Sequence, residues 1–357
     1  MRSMGDHWRA RLRRGGLAAL ALAGLAAPGL AAMASGWAWP SLPAHVAPPP
    51  VPANNAMSAA KITLGRALFY EPALSSTGTL PCAGCHQQAR GFTDGEARHV
   101  GVSGEMGLRN VPGLANVGWR SPLTWADPNV RTLEQQALVP MTGEAPVEMG
   151  MHGADAVLAQ RLSASDCYKA MFAKAFPETG GRIDFAAVTA ALASFERTML
   201  SFDSPYDRYL RGEQDAIGPD ARAGAALFAR AGCAECHSGP DLTDNAMHYT
   251  GTEDQNEHCG YGMRECDANE RPTSQFRTPS LRNVAVTGPW LHDGQSRSIE
   301  DAIRRHDPAA MAGLDMGPIL AFLDAQTDTH FLHDPALARP EKTCVVPAAS
   351  YRVASRN

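Results

Sequence analysis

Apolar side chains recur three and four residues apart along most of the chain beyond residue 58, and few segments alternate between apolar and polar positions. The first spacing is the period of an amphipathic helix, and the second is that of a half-buried strand. Helix-start signals, such as Asp184 before Phe185 and Ser298 before two acidic residues, agree with this assignment. The pattern therefore predicts a mainly α protein with helices over residues 59–70, 132–139, 154–162, 168–176, 185–200, 219–231, 298–305 and 317–325.

Three stretches depart from the helical pattern. Residues 1–34 combine early arginines, an apolar run and small residues near the end, which is typical of a secretory signal peptide. The apolar run is short for a membrane span, so no transmembrane segment is expected after cleavage, and an uncleaved anchor is the alternative. Residues 35–57 include a proline-rich stretch that favours an extended linker. Residues 239–279, rich in Asn, Asp, Glu, Gly and Thr, predict a long loop.

The composition is that of a globular protein, with 357 residues, 44% hydrophobic residues, 19% charged residues and a formal charge of −5. The sequence has no basic stripe, so it gives no support for nucleic-acid binding. This length suits two ordinary domains, which we place at residues 58–215 and 216–345, followed by a short tail over residues 346–357.

Two Cys-x-x-Cys-His pentapeptides carry the most specific chemistry in the chain. Random placement of 8 Cys and 12 His would give roughly 0.006 such pentapeptides. In c-type haem attachment the two thiols form thioether bonds and the histidine holds the iron. A redox dithiol or half of a zinc site is the alternative, but one zinc site needs four ligands and the pairs lie about 150 residues apart. The motif residues are Cys82, Cys85, His86, Cys233, Cys236 and His237.

Two covalently bound haem c groups agree with the signal peptide, because this attachment takes place outside the cytoplasm; together they predict a periplasmic protein. Four cysteines remain, and an even number in an oxidising compartment favours two disulfides. We expect Cys259 to pair with Cys266, within the long loop, and Cys167 to pair with Cys344. The other two connectivities stay open, as does a metal site at these thiols.

Seven strings between residues 62 and 323 resemble the bacterial di-haem cytochrome c peroxidase and MauG superfamily. In order they are LGRALFYEPALSSTGTLPCAGCH, LRNVPGLANV, LEQQALVP, PVEMG, ALASFERTML, GAALFARAGCAECH and FRTPSLRNVAVTGPWLHDG. The strings TLEQQALVPMTGEAPVEMG and SFDSPYDRYLRG look most like the MbnH enzymes of methanobactin operons. The resemblance implies two cytochrome c-like domains, with a peroxide-reactive haem in the first, an electron-transfer haem in the second and the active region at their interface.

The resemblance also implies roles for side chains around the haems. Glu148 matches the catalytic glutamate, and Gln136 and Pro140 match other distal-pocket positions. Trp125 matches the tryptophan that relays electrons between the haems, although one extra residue separates it from Gln136. Calcium is implied as a further cofactor, held by a hard-oxygen shell between the haems. Its implied ligands are the side chain of Asn110 and the backbone carbonyls of Thr287 and Pro289.

Two positions in the sequence predict whether each haem iron has a free coordination site. Where many relatives carry a distal histidine, this chain has Val102, which cannot bind iron. We therefore expect the first haem to be held by His86 alone and open to peroxide, the alternative being that His99 swings onto the metal. On the second haem the family register reaches His306, which predicts ligation by His237 and His306. A later methionine ligand, or a helix-end role for His306, is the alternative.

Together these features predict a periplasmic di-haem enzyme that uses hydrogen peroxide to oxidise a partner protein through a high-valent di-haem state. The MbnH resemblance makes the expected reaction the conversion of tryptophan to kynurenine on an MbnP-like copper-binding protein. One alternative is a cytochrome c peroxidase that takes electrons from a small cytochrome. Another is a di-haem electron carrier without catalysis, which requires both irons to be six-coordinate.

Overall fold

The computed structural model describes residues 37–249, 275–306 and 311–351, and within these ranges the protein is mainly helical, which confirms the predicted fold class. The helices are α1 Ala59–Phe69, α2 Cys82–Cys85, α3 Leu133–Thr142, α4 Asp155–Ser163, α5 Asp166–Ala175, α6 Phe185–Glu196, α7 Pro205–Leu210, α8 Pro219–Arg230, α9 Ile299–His306, α10 Met316–Asp324 and α11 Thr329–His333. One antiparallel pair joins β1 Met247–Tyr249 to β2 Gln275–Arg277. The predicted signal peptide and the predicted Cys259–Cys266 disulfide lie outside the described residues.

All eight helices predicted from periodicity are present, with ends that shift by a few residues. The largest difference is at α6, which ends at Glu196 because the chain then turns and Asn116 donates its backbone N–H to the carbonyl of Met199 at 2.8 Å. The short helices α2, α7 and α11 were not predicted, since four to six residues carry too little periodicity. Only a cap marks α7, where Ser204 and Asp207 form a capping box.

Each half of the molecule is organised around one close helix pair, α1 against α6 and α8 against α10. A glycine makes each contact possible. A Cβ atom at Gly65 would overlap the carbonyl oxygen of Ala191, and one at Gly224 would overlap that of Pro318. The two backbones therefore approach more closely than any side chain allows.

The same two helices position the two histidines of the pentapeptides. Phe69 ends α1 and Phe228 lies near the end of α8, each four residues after its helix-contact glycine. The ring of Phe69 lies 6.3 Å from that of His86, and the ring of Phe228 lies 6.4 Å from that of His237. Both Cys-x-x-Cys-His peptides are thus placed against equivalent helices by the same short Gly-x-x-x-Phe pattern.

The cores divide the chain differently from the sequence-based boundaries at residues 215 and 345. Phe331 and Leu337 belong to the core of the N-terminal half, so the chain returns to the first domain after α10. The disulfide Cys167–Cys344 fastens this returning segment to α5 and confirms the predicted pairing. In the opposite direction, Tyr206 of α7 packs on the second core. These exchanges involve contacts between residues far apart in sequence, which local periodicity does not report.

Residues 37–57 contain no helix or strand, as expected for an extended segment, but they are bound along the first domain. The indole N–H of Trp119 donates to the carbonyl of Ala47 at 2.9 Å. Asn55 is 3% exposed, and its amide donates to the Glu134 carboxylate at 2.6 Å. The segment is therefore a strap rather than a free linker. No helix in the described part of the chain is both long and apolar enough to cross a membrane.

Candidate functional site

The first Cys-x-x-Cys-His peptide presents a histidine suited to bind a metal. Cys82–Cys85 forms one helical turn, after which the backbone N–H of His86 closes onto the carbonyl of Cys82 at 3.0 Å. Nδ1 of His86 lies 2.7 Å from the carbonyl oxygen of Phe92 and must donate to it. Burial lowers the pKa of His86, so the ring is neutral at pH 7 and Nε2 carries a free lone pair.

The second peptide repeats this arrangement. Nδ1 of His237 lies 3.2 Å from the carbonyl oxygen of Leu242 and donates to it. Burial lowers the pKa of His237 to about 4, and the neighbouring His306 adds to the shift. Both motif histidines are therefore neutral, tautomerically fixed imidazoles that present Nε2, which is the state needed for an axial metal ligand.

The four motif thiols do not have the properties of a redox dithiol. Burial is the largest cause of a raised pKa at Cys82, Cys85, Cys233 and Cys236, and it brings the pKa of Cys82 to about 12. Redox-active cysteines have lowered pKa values, because the thiolate is the reactive form. The thiols fit covalent attachment of haem, and they do not fit the dithiol alternative.

His306 lies opposite His237 at the separation expected for two ligands of one iron. An imidazole nitrogen binds a transition metal at about 2.0–2.1 Å, so two imidazoles on opposite sides of one metal have ring centroids roughly 6.3 Å apart. The observed distance between the centroids of His237 and His306 is 6.3 Å. Nδ1 of His306 donates to the carbonyl of Ala302 at 2.8 Å, which leaves its Nε2 available. Both rings therefore fit a shared haem iron.

The three residues assigned to the distal pocket lie on one helix and on the segment bonded to it. Gln136 and Pro140 lie one turn apart on α3, and the carbonyl of Pro140 accepts the backbone N–H of Met149 at 2.9 Å. This bond holds the segment that contains Glu148 and Met149 against α3. Glu148 is half-buried, and its charge adds to the burial that raises the pKa of Cys85. The sequence-predicted glutamate is thus next to the first attachment site.

The loop that contains Val102 packs directly on this glutamate. The backbone N–H of Val102 donates to the carbonyl of Glu148 at 2.8 Å, and a side chain at Gly101 would overlap the carbonyl of Val147. His99, the alternative ligand, has Nδ1 only 3.1 Å from a carboxylate oxygen of Asp94. Asp94 is 7% exposed, so His99 is tied to a buried anion.

Trp125 lies at the interface between the two halves. It is 9% exposed, and its indole N–H donates to the carbonyl of Asn110 at 2.8 Å. Its own carbonyl accepts the backbone N–H of Arg277 in β2 at 2.8 Å. The extra residue between Trp125 and Gln136 therefore does not move the indole to the surface.

A cavity of about 600 Å³ lies between residues 89–95 and residues 285–297. Pro289 lines one wall and Gly95 lines the other. The amide of Asn110 donates to the carbonyls of Glu96 and Ala97 at 3.0 and 3.3 Å, so its Oδ1 is the atom available to a ligand. Of the three residues assigned to calcium, Pro289 lines this cavity, and Asn110 is bonded to the segment that follows Gly95.

Sequence reasoning missed a cluster of buried charges at the domain interface. It contains Arg120, Arg277, Arg282, Asp207 and Asp241. Two of these arginines stand in the string FRTPSLRNV, but nothing in the string indicates that Arg277 contacts Thr124, 153 positions away, or that Arg282 contacts Asp207, 75 positions away.

Two covalent attachment peptides, each with a neutral axial histidine, define a two-haem c-type protein. The family model described as di-haem cytochrome c peroxidase matches residues 59–215. The methylamine utilization protein MauG of Methylorubrum extorquens is 38% identical over 276 residues, which cover 76% of this chain and 74% of that protein. The chain therefore belongs to the di-haem cytochrome c peroxidase and MauG family, and it is a di-haem oxidoreductase.

The relatives of this chain include cytochrome c peroxidases as well as MauG proteins. The cytochrome c551 peroxidase of Pseudomonas aeruginosa is 30% identical over 78% of this chain and 79% of that protein. Among solved structures, a MauG-like protein associated with microbial copper homeostasis is 35% identical, with a TM-score of 0.77 over 86% of this chain and 100% of that chain. The di-haem peroxidase BthA of Burkholderia thailandensis, at 20% identity and a TM-score of 0.60 over 82% of this chain and 92% of that chain, shares the fold.

Proposed function

We propose that the protein is a periplasmic enzyme that uses hydrogen peroxide to oxidise a side chain of a partner protein. The observation that carries this proposal is that Val102, whose side chain cannot bind iron, stands in the loop that packs on the backbone of Glu148. When bound, the two haems supply an iron that reacts with peroxide and a second redox centre that shares the oxidising equivalents.

The protein's own residues contribute positioning and proton transfer. His86 holds the first iron from one side, fixed by its bond to the carbonyl of Phe92. Glu148, next to the first attachment peptide, would move a proton between the two oxygens of peroxide as their bond breaks. Gln136 and Pro140 shape the space around it. Trp125, bonded to both halves, provides the aromatic group between the two haems.

His237 and His306 would together hold the second haem and leave it no free coordination site for peroxide. Two imidazoles favour the ferric state compared with a His/Met pair, which suits a centre that gives up an electron readily. A calcium ion would be held by Oδ1 of Asn110 and the carbonyls of Thr287 and Pro289, because hard oxygen donors of this kind suit Ca²⁺.

The substrate that we propose is a tryptophan on an MbnP-like copper-binding protein, converted to kynurenine. Support comes from the 35% identity to a MauG-like protein associated with microbial copper homeostasis, which is aligned over its full length. The test is incubation of the candidate partner with enzyme and peroxide, followed by peptide mass spectrometry. A new mass on one tryptophan peptide, absent when Glu148→Gln replaces the enzyme, supports the proposal. An unchanged partner contradicts it.

A second candidate is peroxide removal with electrons from a small cytochrome, favoured by the 30% identity to a cytochrome c551 peroxidase. Steady-state oxidation of a reduced cytochrome by peroxide distinguishes the two. Fast turnover that requires prior one-electron reduction of the enzyme would favour the peroxidase, since an enzyme with an open first iron has no need of that step.

A further inference from the structure

Arg277 is a buried cation without a carboxylate in bonding distance among the described residues. It is 1% exposed, and its guanidinium donates to the carbonyls of Thr278 at 2.9 Å and Thr124 at 3.3 Å. Burial lowers the pKa of Arg277 to about 9, and the like charge of Arg120 adds to the shift. The neutral carbonyls orient the group but do not compensate its charge.

Among the described residues, the charged groups around Arg277 comprise one more guanidinium than carboxylate. Arg282 forms a bidentate pair with Asp207 at 2.8 and 2.9 Å. Asp241 remains, with one carboxylate oxygen 3.9 Å from Arg120 and the other 3.8 Å from Arg282. Three guanidinium groups thus share two carboxylates. A buried excess of this kind is costly unless a further anion compensates it.

The neighbours of Arg277 belong to the second attachment site. The carbonyl of Thr278 accepts from Arg277 and also from the hydroxyl of Thr243 at 2.6 Å, in the loop that follows the second attachment peptide. The carbonyl of Pro279, two residues after Arg277, lies against the ring of His237. The guanidinium therefore belongs to the surroundings of the second haem, whose periphery carries two propionate groups.

We propose that Arg277 receives a propionate carboxylate of the second haem, with Arg120 behind it as a second positive charge. The pair neutralises the buried excess, orients the haem edge next to Trp125 and raises the reduction potential of this haem. Arginine suits the role, because its planar fork binds a carboxylate through two hydrogen bonds and keeps its charge when buried. The inference rests on haem attachment at residues 233–237 and not on the peroxide reaction, so its failure would leave the proposed function standing.

The test is potentiometric titration of both haems in the holoprotein carrying Arg277→Gln or Arg277→Lys. Loss of a nearby positive charge favours the ferric state. Arg277→Gln should therefore lower the reduction potential of the second haem by at least about 59 mV. For a one-electron couple this is a tenfold change in the equilibrium constant for reduction. The first haem should keep its potential. Arg277→Lys keeps the charge and should shift the second haem much less.

Arg161→Gln is the matched control. Arg161 is also 1% exposed and bonded to backbone carbonyls, those of Ser75 and Ser76, but it lies in the first domain. Its replacement should leave the second haem unchanged. If Arg277→Gln does not fold, Arg120→Gln should move the same potential in the same direction by a smaller amount. The proposal is overturned if neither variant moves the second-haem potential, or if Arg161→Gln moves it equally.

Discussion

Glu196 provides a quantitative test of how the first domain is packed. It lies at the end of α6, is 7% exposed, and has a pKa raised to about 8, chiefly by burial. The neighbouring Arg197 opposes this shift but does not cancel it, because its guanidinium is committed to Glu134 at 2.9 and 3.0 Å. The Glu196 carboxyl is therefore protonated in the native protein at a pH where it is ionised in the unfolded chain.

The sign and size of the effect follow from this pKa difference. The ordinary pKa of a glutamate is 4.5, and the pKa of Glu196 in the native protein is about 8. Between these values the folded state binds more protons than the unfolded state, so stability is lost as the pH rises, at up to about 1.4 kcal/mol per pH unit. From pH 4.5 to pH 7 the loss is about 3 kcal/mol. Glu196→Gln removes it, since an amide does not ionise.

Urea denaturation of the holoprotein at pH 4.5 and pH 7, followed by circular dichroism, measures the free energy of unfolding. Glu196→Gln should be about 3 kcal/mol more stable than the parent at pH 7 and nearly equal to it at pH 4.5. Glu134→Gln is the control of opposite sign, since it leaves the buried Arg197 unpaired and should lose about 3 kcal/mol at pH 7. A Glu196→Gln effect that is the same at both pH values would refute the reasoning.

Three further variants test the two haem sites. Glu148→Gln should slow the reaction of the diferric protein with peroxide by about 10²–10⁴-fold in stopped-flow measurements, because the proton carrier is lost; an unchanged rate would remove Glu148 from the mechanism. His306→Ala should replace the low-spin ferric EPR signal of the second haem by a high-spin signal, whereas persistence of the low-spin signal would mean that another ligand accompanies His237. Gly224→Ala should destabilise the second domain by about 1–3 kcal/mol in urea, since the added methyl overlaps the carbonyl of Pro318; full stability would show that α8 and α10 can separate.

Local patterns in the sequence predict local structure well here. Eight helices follow from the spacing of apolar residues, and the attachment peptides follow from two short strings. The disulfide Cys167–Cys344 could be predicted because only four cysteines remained once the two motifs were assigned. The placement of Glu148 came from the surrounding string, since a single glutamate in a polar stretch carries no signal of its own.

The features that the sequence did not predict depend on contacts between segments that are far apart in the chain. Phe331 and Leu337 pack on the first domain although they follow the second in sequence, and no periodicity reports such a return. The interface cluster around Arg277 was missed for the same reason, because Arg120 and Asp241 are more than a hundred residues apart and each looks like an ordinary surface charge in the sequence. Burial, which gives these groups their chemistry, is a property of the fold.

The most direct test of the central claim is the addition of one equivalent of hydrogen peroxide to the diferric protein, without reductant, while optical and EPR spectra are recorded. An open first iron that shares oxidising equivalents with the second predicts rapid loss of both ferric haem signals. If the spectra do not change until the protein has first been reduced by one electron, the first iron is blocked at rest, and the role assigned to the Val102 loop is wrong.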